Sequence, residues 1–192
     1  NYANPDMVGH TGQFAAAVQA IHALSPDTSV EVLTPDFQGD RRAVATVAAS
    51  GLAVFNHNVE TAPRLYQEVR PEADFQRSLA VLEMAGQARL TTKSGLMVGL
   101  GERPAEVEKV LVDLREAGVA LVTIGQYLRP SPRHLPVKEF IHPDVFAQYE
   151  AVGRNLDELI AIGEELGALL GQGFVALTGK ADAAGYLKKL GA

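Results

Sequence analysis

Lys93-Ser94-Gly95-Leu96-Met97-Val98-Gly99-Leu100-Gly101-Glu102 is the stretch that decides the fold. An apolar run, Ser94–Gly99, stops at glycines and a carboxylate, and a helical pattern over Pro104–Ala117 begins almost at once. Pro104 suits the first turn of a helix and Gly118 suits the residue just past its end. A second apolar run, Ala120–Ile124, follows directly. Strand, helix and strand in so short a span predict a βαβ unit of a parallel sheet.

Upstream the alternation repeats. Val30–Leu33 ends at Thr34-Pro35 before a helix over Arg41–Ala49, and Leu52–Asn56 leads into Pro63–Val69 and a stronger helix from Asp74 to about Gln87. Gln13–Leu24 predicts another helix, halted by Ser25-Pro26-Asp27. Downstream, prolines punctuate a loop from Pro130 to Pro136. A long helical pattern then runs from Pro143 to about Leu170, weakened at Gly153 and Gly163. Phe174–Leu177 predicts a last strand and Ala181–Leu190 a short helix. With no repeat, linker or low-complexity tract, residues 1–192 are expected to form one domain.

Composition narrows the function. At 192 residues, 47% apolar and 21% charged, the chain can bury a core of its own. A net charge of −6 with dispersed basic residues argues against nucleic acid as a partner. Ala117–Leu128 and Leu166–Thr178 are too short to span a bilayer, so an integral membrane protein is not expected. The chain starts at Asn1, and no signal or transit peptide is visible in it. The sequence has no cysteine, which excludes disulfides and thiolate metal ligands on these residues. Its five histidines, His10, His22, His57, His134 and His142, show no metal-ligand spacing.

Two clusters carry possible chemistry. Asn56-His57-Asn58-Val59-Glu60-Thr61 lies at the C-terminal end of a predicted strand, where βα folds gather their ligand-binding loops. It offers hydrogen-bonding groups for a polar ligand, or else a polar plug that satisfies itself. Gly99, Gly101 and Glu102 end the next strand; glycines let a ligand approach the backbone, and a carboxylate there can accept from an amine or a ribose hydroxyl. The same glycines also suit a plain turn. Lys93 stands ready to neutralise Glu60 or a ligand carboxylate, or faces solvent. Arg70 and Arg77 flank Asp74, which with Ala73 is one of two expected helix caps, as possible carboxylate clamps or surface ion pairs.

Taken together, these clusters, Thr123-Ile124-Gly125-Gln126-Tyr127-Leu128, Val30-Glu31-Val32-Leu33-Thr34-Pro35-Asp36-Phe37 and His134-Leu135-Pro136-Val137 resemble lipoyl synthase, a radical S-adenosylmethionine (SAM) enzyme. The resemblance runs nearly continuously from about Gln13 to Phe146 and leaves 147–192 as a divergent helical tail. It implies an α/β fold, a partial TIM-like half-barrel of about four parallel βα units with a C-terminal helical extension. It also implies that Asn56, Asn58, Glu60, Lys93, Gly99, Gly101, Glu102 and Gln126 are positions of a SAM pocket, with Arg70 nearby. The family inserts sulfur into a protein-bound octanoyl chain, using one iron–sulfur cluster to cleave SAM and another as sulfur source.

Against that stands chemistry: such clusters are held by thiolates, and none is present. The serine-bearing segment that the family carries near its end is missing after Val175-Ala176-Leu177-Thr178-Gly179, and Arg154–Ile162 reads as an insertion. The expectation is therefore a non-catalytic relative with no catalytic or metal residue, no iron–sulfur cluster on this chain, and SAM only as a residual ligand. It would serve as a structural subunit whose protein partners meet an exposed strand edge at Val30–Leu33. The alternatives are the C-terminal half of a split lipoyl synthase and a SAM-binding sensor. The family's distribution leaves a plastid, a mitochondrion or the bacterial cytoplasm as the expected location.

Overall fold

The computed structural model describes residues 11–156, 159–163 and 174–179, the last two stretches as backbone. Its elements are α1 (Thr11–Leu24), β1 (Glu31–Leu33), α2 (Arg41–Ala48), β2 (Val54–Asn56), α3 (Tyr66–Val69), α4 (Phe75–Gln87), β3 (Thr91–Val98), α5 (Pro104–Glu116), β4 (Leu121–Gln126), α6 (Pro143–Asn155), β5 (Leu159–Gly163) and β6 (Phe174–Gly179). They build a six-stranded sheet in the order β1-β2-β3-β4-β6-β5. The four strands β1 to β4 are parallel, as expected. β6 joins β4 antiparallel, and β5 pairs antiparallel with β6.

One expectation fails in the tail. The helix predicted from Pro143 to about Leu170 stops at Asn155, and Leu159–Gly163 is a strand instead. The amide of Leu156 bonds to the Gly153 carbonyl and closes the last turn. Beyond it, Ile160 and Ile162 alternate at a spacing that suits a strand as well as a helix, and pairing with β6 decides between them. The predicted helix over Ala181–Leu190 lies outside the described residues.

Register sorts the side chains of the parallel strands into two faces. Phe55, Leu96, Val98, Val122 and Ile124 lie under the helices, packed against residues such as Val81, Leu82, Leu111 and Leu114. These helix residues are entirely shielded from solvent. Each such aliphatic side chain contributes about 1.5–3 kcal/mol by leaving water. Glu31, Leu33, Asn56, Lys93, Gly95 and Met97 alternate with them and take the opposite, inner face.

Helix starts are fixed by short polar caps. The Asp40 carboxylate accepts from Arg42 N at 2.8 Å, and that of Asp74 from Arg77 N at 2.7 Å. At α5, Pro104 takes the first turn and the Glu106 carboxylate accepts from Arg103 N at 2.8 Å. Arg64 and Arg103 clasp that same carboxylate and hold its pKa far below the usual range. We expect Asp74→Ala to cost about 1 kcal/mol, the usual worth of such a cap, read as a lower urea midpoint at unchanged slope. No described helix is long and apolar enough to cross a membrane.

Candidate functional site

β2 does not end cleanly at Asn56. The chain continues beside β3, with His57 N donating to Lys93 O at 3.0 Å, Glu60 N to Gly95 O at 2.9 Å, and Met97 N to Glu60 O at 2.8 Å. To keep both bonds Glu60 adopts φ +65°, a left-handed conformation that side chains other than glycine's rarely take. Strain of about 1–3 kcal/mol is normal for such a residue and concentrates at ligand sites. Burial pushes the Glu60 carboxyl up in pKa, while the Arg70 charge and an Asn58 side-chain hydrogen bond pull it back.

Asn58 lies against β3 because Gly95 has no side chain. A methyl group at Gly95 would stand 2.9 Å from Asn58 Oδ1. Only a side chain blocks it there, so Gly95→Ala should keep the fold, at a stability cost of about 1 kcal/mol or less, and displace the Asn58 carboxamide. Urea unfolding and the Asn58 side-chain amide resonances would check this.

The second cluster forms on three strands. Asn56 Nδ2 donates to Glu31 Oε1 at 2.8 Å, and Lys93 Nζ donates to Glu31 Oε1 and Oε2 at 2.9 and 3.1 Å. Lys93 thus pairs with Glu31, not with Glu60. Asn56 is 7% exposed, and its Oδ1 is buried without a hydrogen-bond partner. His57, next in sequence, points to the helix side. Its Nδ1 lies 2.9 Å from Thr34 O and its Nε2 3.0 Å from Ser78 Oγ, so it is a strut and not a ligand group.

After β3 the glycine turn folds on itself. Gly99 and Gly101 have φ of +100° and +103°, and the Glu102 carboxylate accepts from Gly99 N at 2.5 Å and Leu100 N at 2.9 Å. Gln126 is a staple: its Nε2 donates to Tyr127 O and Glu139 O at 3.0 and 3.1 Å, and its Oε1 accepts from Ile141 N at 2.8 Å. It pins the loop to Gly99, whose carbonyl accepts from Lys138 N at 2.8 Å.

Arg70 Nη1 donates to Asn58 O at 3.0 Å, and the guanidinium sits 5.9 Å from the centre of the Tyr66 ring. Arg77 pairs with Asp36 at 2.5 Å, not with Glu72 or Asp74 side chains. An open cleft of ≈ 330 Å³ runs between these arginines and Pro35–Gln38.

The eight residues anticipated from sequence therefore fall into three groups. Asn56 and Lys93 meet through Glu31, Asn58 and Glu60 sit on β3, and Gly99, Gly101 and Glu102 form a turn against Gln126. Glu31 was missed, although its place as a lone charge in Val30-Glu31-Val32-Leu33 was a signal.

The donor set does not fit an iron–sulfur cluster. There is no cysteine, and among the described residues no group of three or more histidine or carboxylate side chains is arranged to hold a metal. It does fit a ligand rich in amine and hydroxyl donors such as SAM. The bare Asn56 oxygen and the partly buried Glu60 carboxyl are the acceptors, while the space beside Gly99 is taken by Gln126 and the Glu139 carbonyl.

Comparison with known proteins agrees with this architecture. The Radical SAM superfamily model matches residues 3–114. The lipoyl synthase of Caldicellulosiruptor saccharolyticus is 53% identical over 144 residues, covering 74% of this chain and 50% of that protein. The lipoyl synthase of Nitratidesulfovibrio vulgaris is 49% identical over 148 residues, covering 77% and 50%. Coproporphyrinogen III oxidase from Escherichia coli, described as a radical SAM enzyme, superposes with a TM-score of 0.65 over 90% of this chain and 41% of that one. At 14% identity that likeness concerns the fold alone. The chain spans about half the length of the lipoyl synthases it matches. With four parallel strands and a family match over more than half of its length, this chain belongs to the radical SAM superfamily, and it is about 50% identical to these lipoyl synthases over some three quarters of its own length.

Proposed function

We propose that this chain forms the SAM-cradling half of a lipoyl synthase-type active site whose cluster-bearing half lies on polypeptide outside these 192 residues. The observation that carries the proposal is an identity near 50% that covers half of each relative and includes the polar strand ends. This favours a split or divided enzyme over the non-catalytic accessory subunit expected from the missing thiolates.

In this role Asn56, Asn58 and Glu60 would receive donors of the ligand, and Gly99, Gly101 and Glu102 would flank it. SAM, when bound, supplies the cleavable sulfonium on which the family's chemistry depends. The chain's own part is to orient that ligand. Glu102 holds the turn amides and Gln126 holds the loop over Gly99, so the wall is formed before a ligand arrives.

β1 supports a place for the other half. It is the outermost strand on its side of the described sheet, and Leu33 is 56% exposed. α1 precedes β1 and packs with α2 on the helix side, through Val18 against Val44 and Val47. Right-handed crossovers would set a preceding parallel strand alongside β1. The test is co-expression with the part of the Caldicellulosiruptor lipoyl synthase that this chain does not cover. A stable 1:1 complex that cleaves SAM after iron and sulfide reconstitution, where neither part does so alone, is the expected result. Failure of the parts to associate, or a complex with no SAM cleavage, would return the accessory role to first place.

A further inference from the structure

The Glu31–Asn56–Lys93 group does something the resemblance to lipoyl synthases does not assign. A carboxylate only accepts hydrogen bonds, so the Asn56 group facing Glu31 must be its NH₂, which donates at 2.8 Å. Lys93 Nζ reaches both Glu31 oxygens, at 2.9 and 3.1 Å, and so restrains the carboxylate that holds the amide. The amide therefore has one orientation, with Oδ1 turned away from Glu31, buried, and without a partner. Buried acceptors are almost always satisfied, and a bare one marks a place where a donor belongs.

We propose that Glu31 is the positioning residue that makes this site selective for a donor: with Lys93 it locks the Asn56 carboxamide so that an oxygen, and not an NH₂, meets the ligand. The group it reads is an N–H or O–H of a nucleoside, such as the exocyclic amine or a ribose hydroxyl of SAM. This rests on the SAM-cradle proposal above and deepens it. Glu31 itself need not touch the ligand. Replacing its carboxylate by an amide, Glu31→Gln, would let Asn56 face either way, because glutamine both donates and accepts.

The experiment is a titration of the ¹⁵N-labelled 192-residue chain, with the Gly95 and Gly99 amides as reporters. Three probes are used: SAM, the analogue lacking the exocyclic amine, and the analogue lacking ribose hydroxyls. The wild-type chain should prefer SAM to one of the analogues by about tenfold, the usual effect of one hydrogen bond to a well-placed acceptor. In Glu31→Gln that preference should collapse toward unity while the melting temperature moves little. If Glu31→Gln keeps the preference, or weakens all three probes equally, the inference is wrong and the cradle stands. If SAM leaves the wild-type amides unmoved, the cradle falls, and the inference with it.

Discussion

Gly99→Ala should be the most damaging single-atom change in this half-barrel. Gly99 has φ +100°, and a methyl group there would stand 2.3 Å from Gln126 Nε2 and 2.5 Å from the Glu139 carbonyl oxygen. The glutamine can swing away; the backbone oxygen cannot without moving the loop. Gln126 is also the staple for that loop, so displacing it releases bonds to Tyr127, Glu139 and Ile141 together. The small cluster of Leu65, Leu100 and Tyr127, with Leu135 and Val137 packed on it, would open as well. Backbone strain of about 1–2 kcal/mol and overpacking of about 1–3 kcal/mol together predict a loss near 3 kcal/mol. Urea unfolding would measure it, and hydrogen exchange should show faster exchange of the Lys138 and Ile141 amides. A loss below about 1 kcal/mol would mean that the loop yields freely.

His57 is the second large effect, and it depends on pH. The ring is 1% exposed and joins Thr34 O to Ser78 Oγ, so it ties the end of β1 to α4. His57→Ala leaves a cavity and a buried hydroxyl that has lost its partner, at a cost of about 3 kcal/mol. Burial lowers the imidazole pKa from 6.5; the Thr34 hydrogen bond and Asp36 oppose that, and Arg70 and Arg77 add to it. The folded protein thus resists protonation at a site that the unfolded chain protonates freely. Its contribution is complete above the unfolded value and is lost as pH falls below 6.5, by at most about 1.4 kcal/mol per pH unit. Urea unfolding at pH 7.5, 6.5 and 5.5 should show this decline in the wild-type chain and a smaller one in His57→Phe. Equal declines in both would assign the acid sensitivity to other groups. Asp36, held below its ordinary 3.8, acts in the same direction but at lower pH, because its carboxylate must be ionised to keep Arg77 and the Gln38 amide.

The parallel strands were legible because their β-branched runs are short and are separated by proline and glycine at helix boundaries, as at Pro104 and Gly118. The tail was not. Between Leu156 and Gly163 the apolar residues fit either period, and only pairing with β6 makes a strand of them. At the site, Asn56, Asn58 and Glu60 stood out as polar residues where a strand ends. Their partners did not. Lys93 was expected to neutralise Glu60 or a ligand carboxylate, or to face solvent, but Glu31 reaches it across the intervening β2, through a register that no local pattern encodes. The role of Gln126 was equally hidden, because its bonds reach residues 13 and 15 positions away, around a loop. His57 was partly readable: alternation along the strand already sets it opposite Asn56.

That alternation makes the polar inner face sensitive to an added residue. A single residue inserted between Val54 and Asn56 would exchange the faces: the imidazole would swing toward the inner face, and the carboxamides would be pressed beneath α4 among groups that cannot receive them. The same insertion within 130–136, an exposed turn apart from Ser131 and Leu135, would lengthen a surface excursion and leave the wall unchanged. An added residue is thus expected to be absorbed at the rim of the sheet and to be disruptive within its strands.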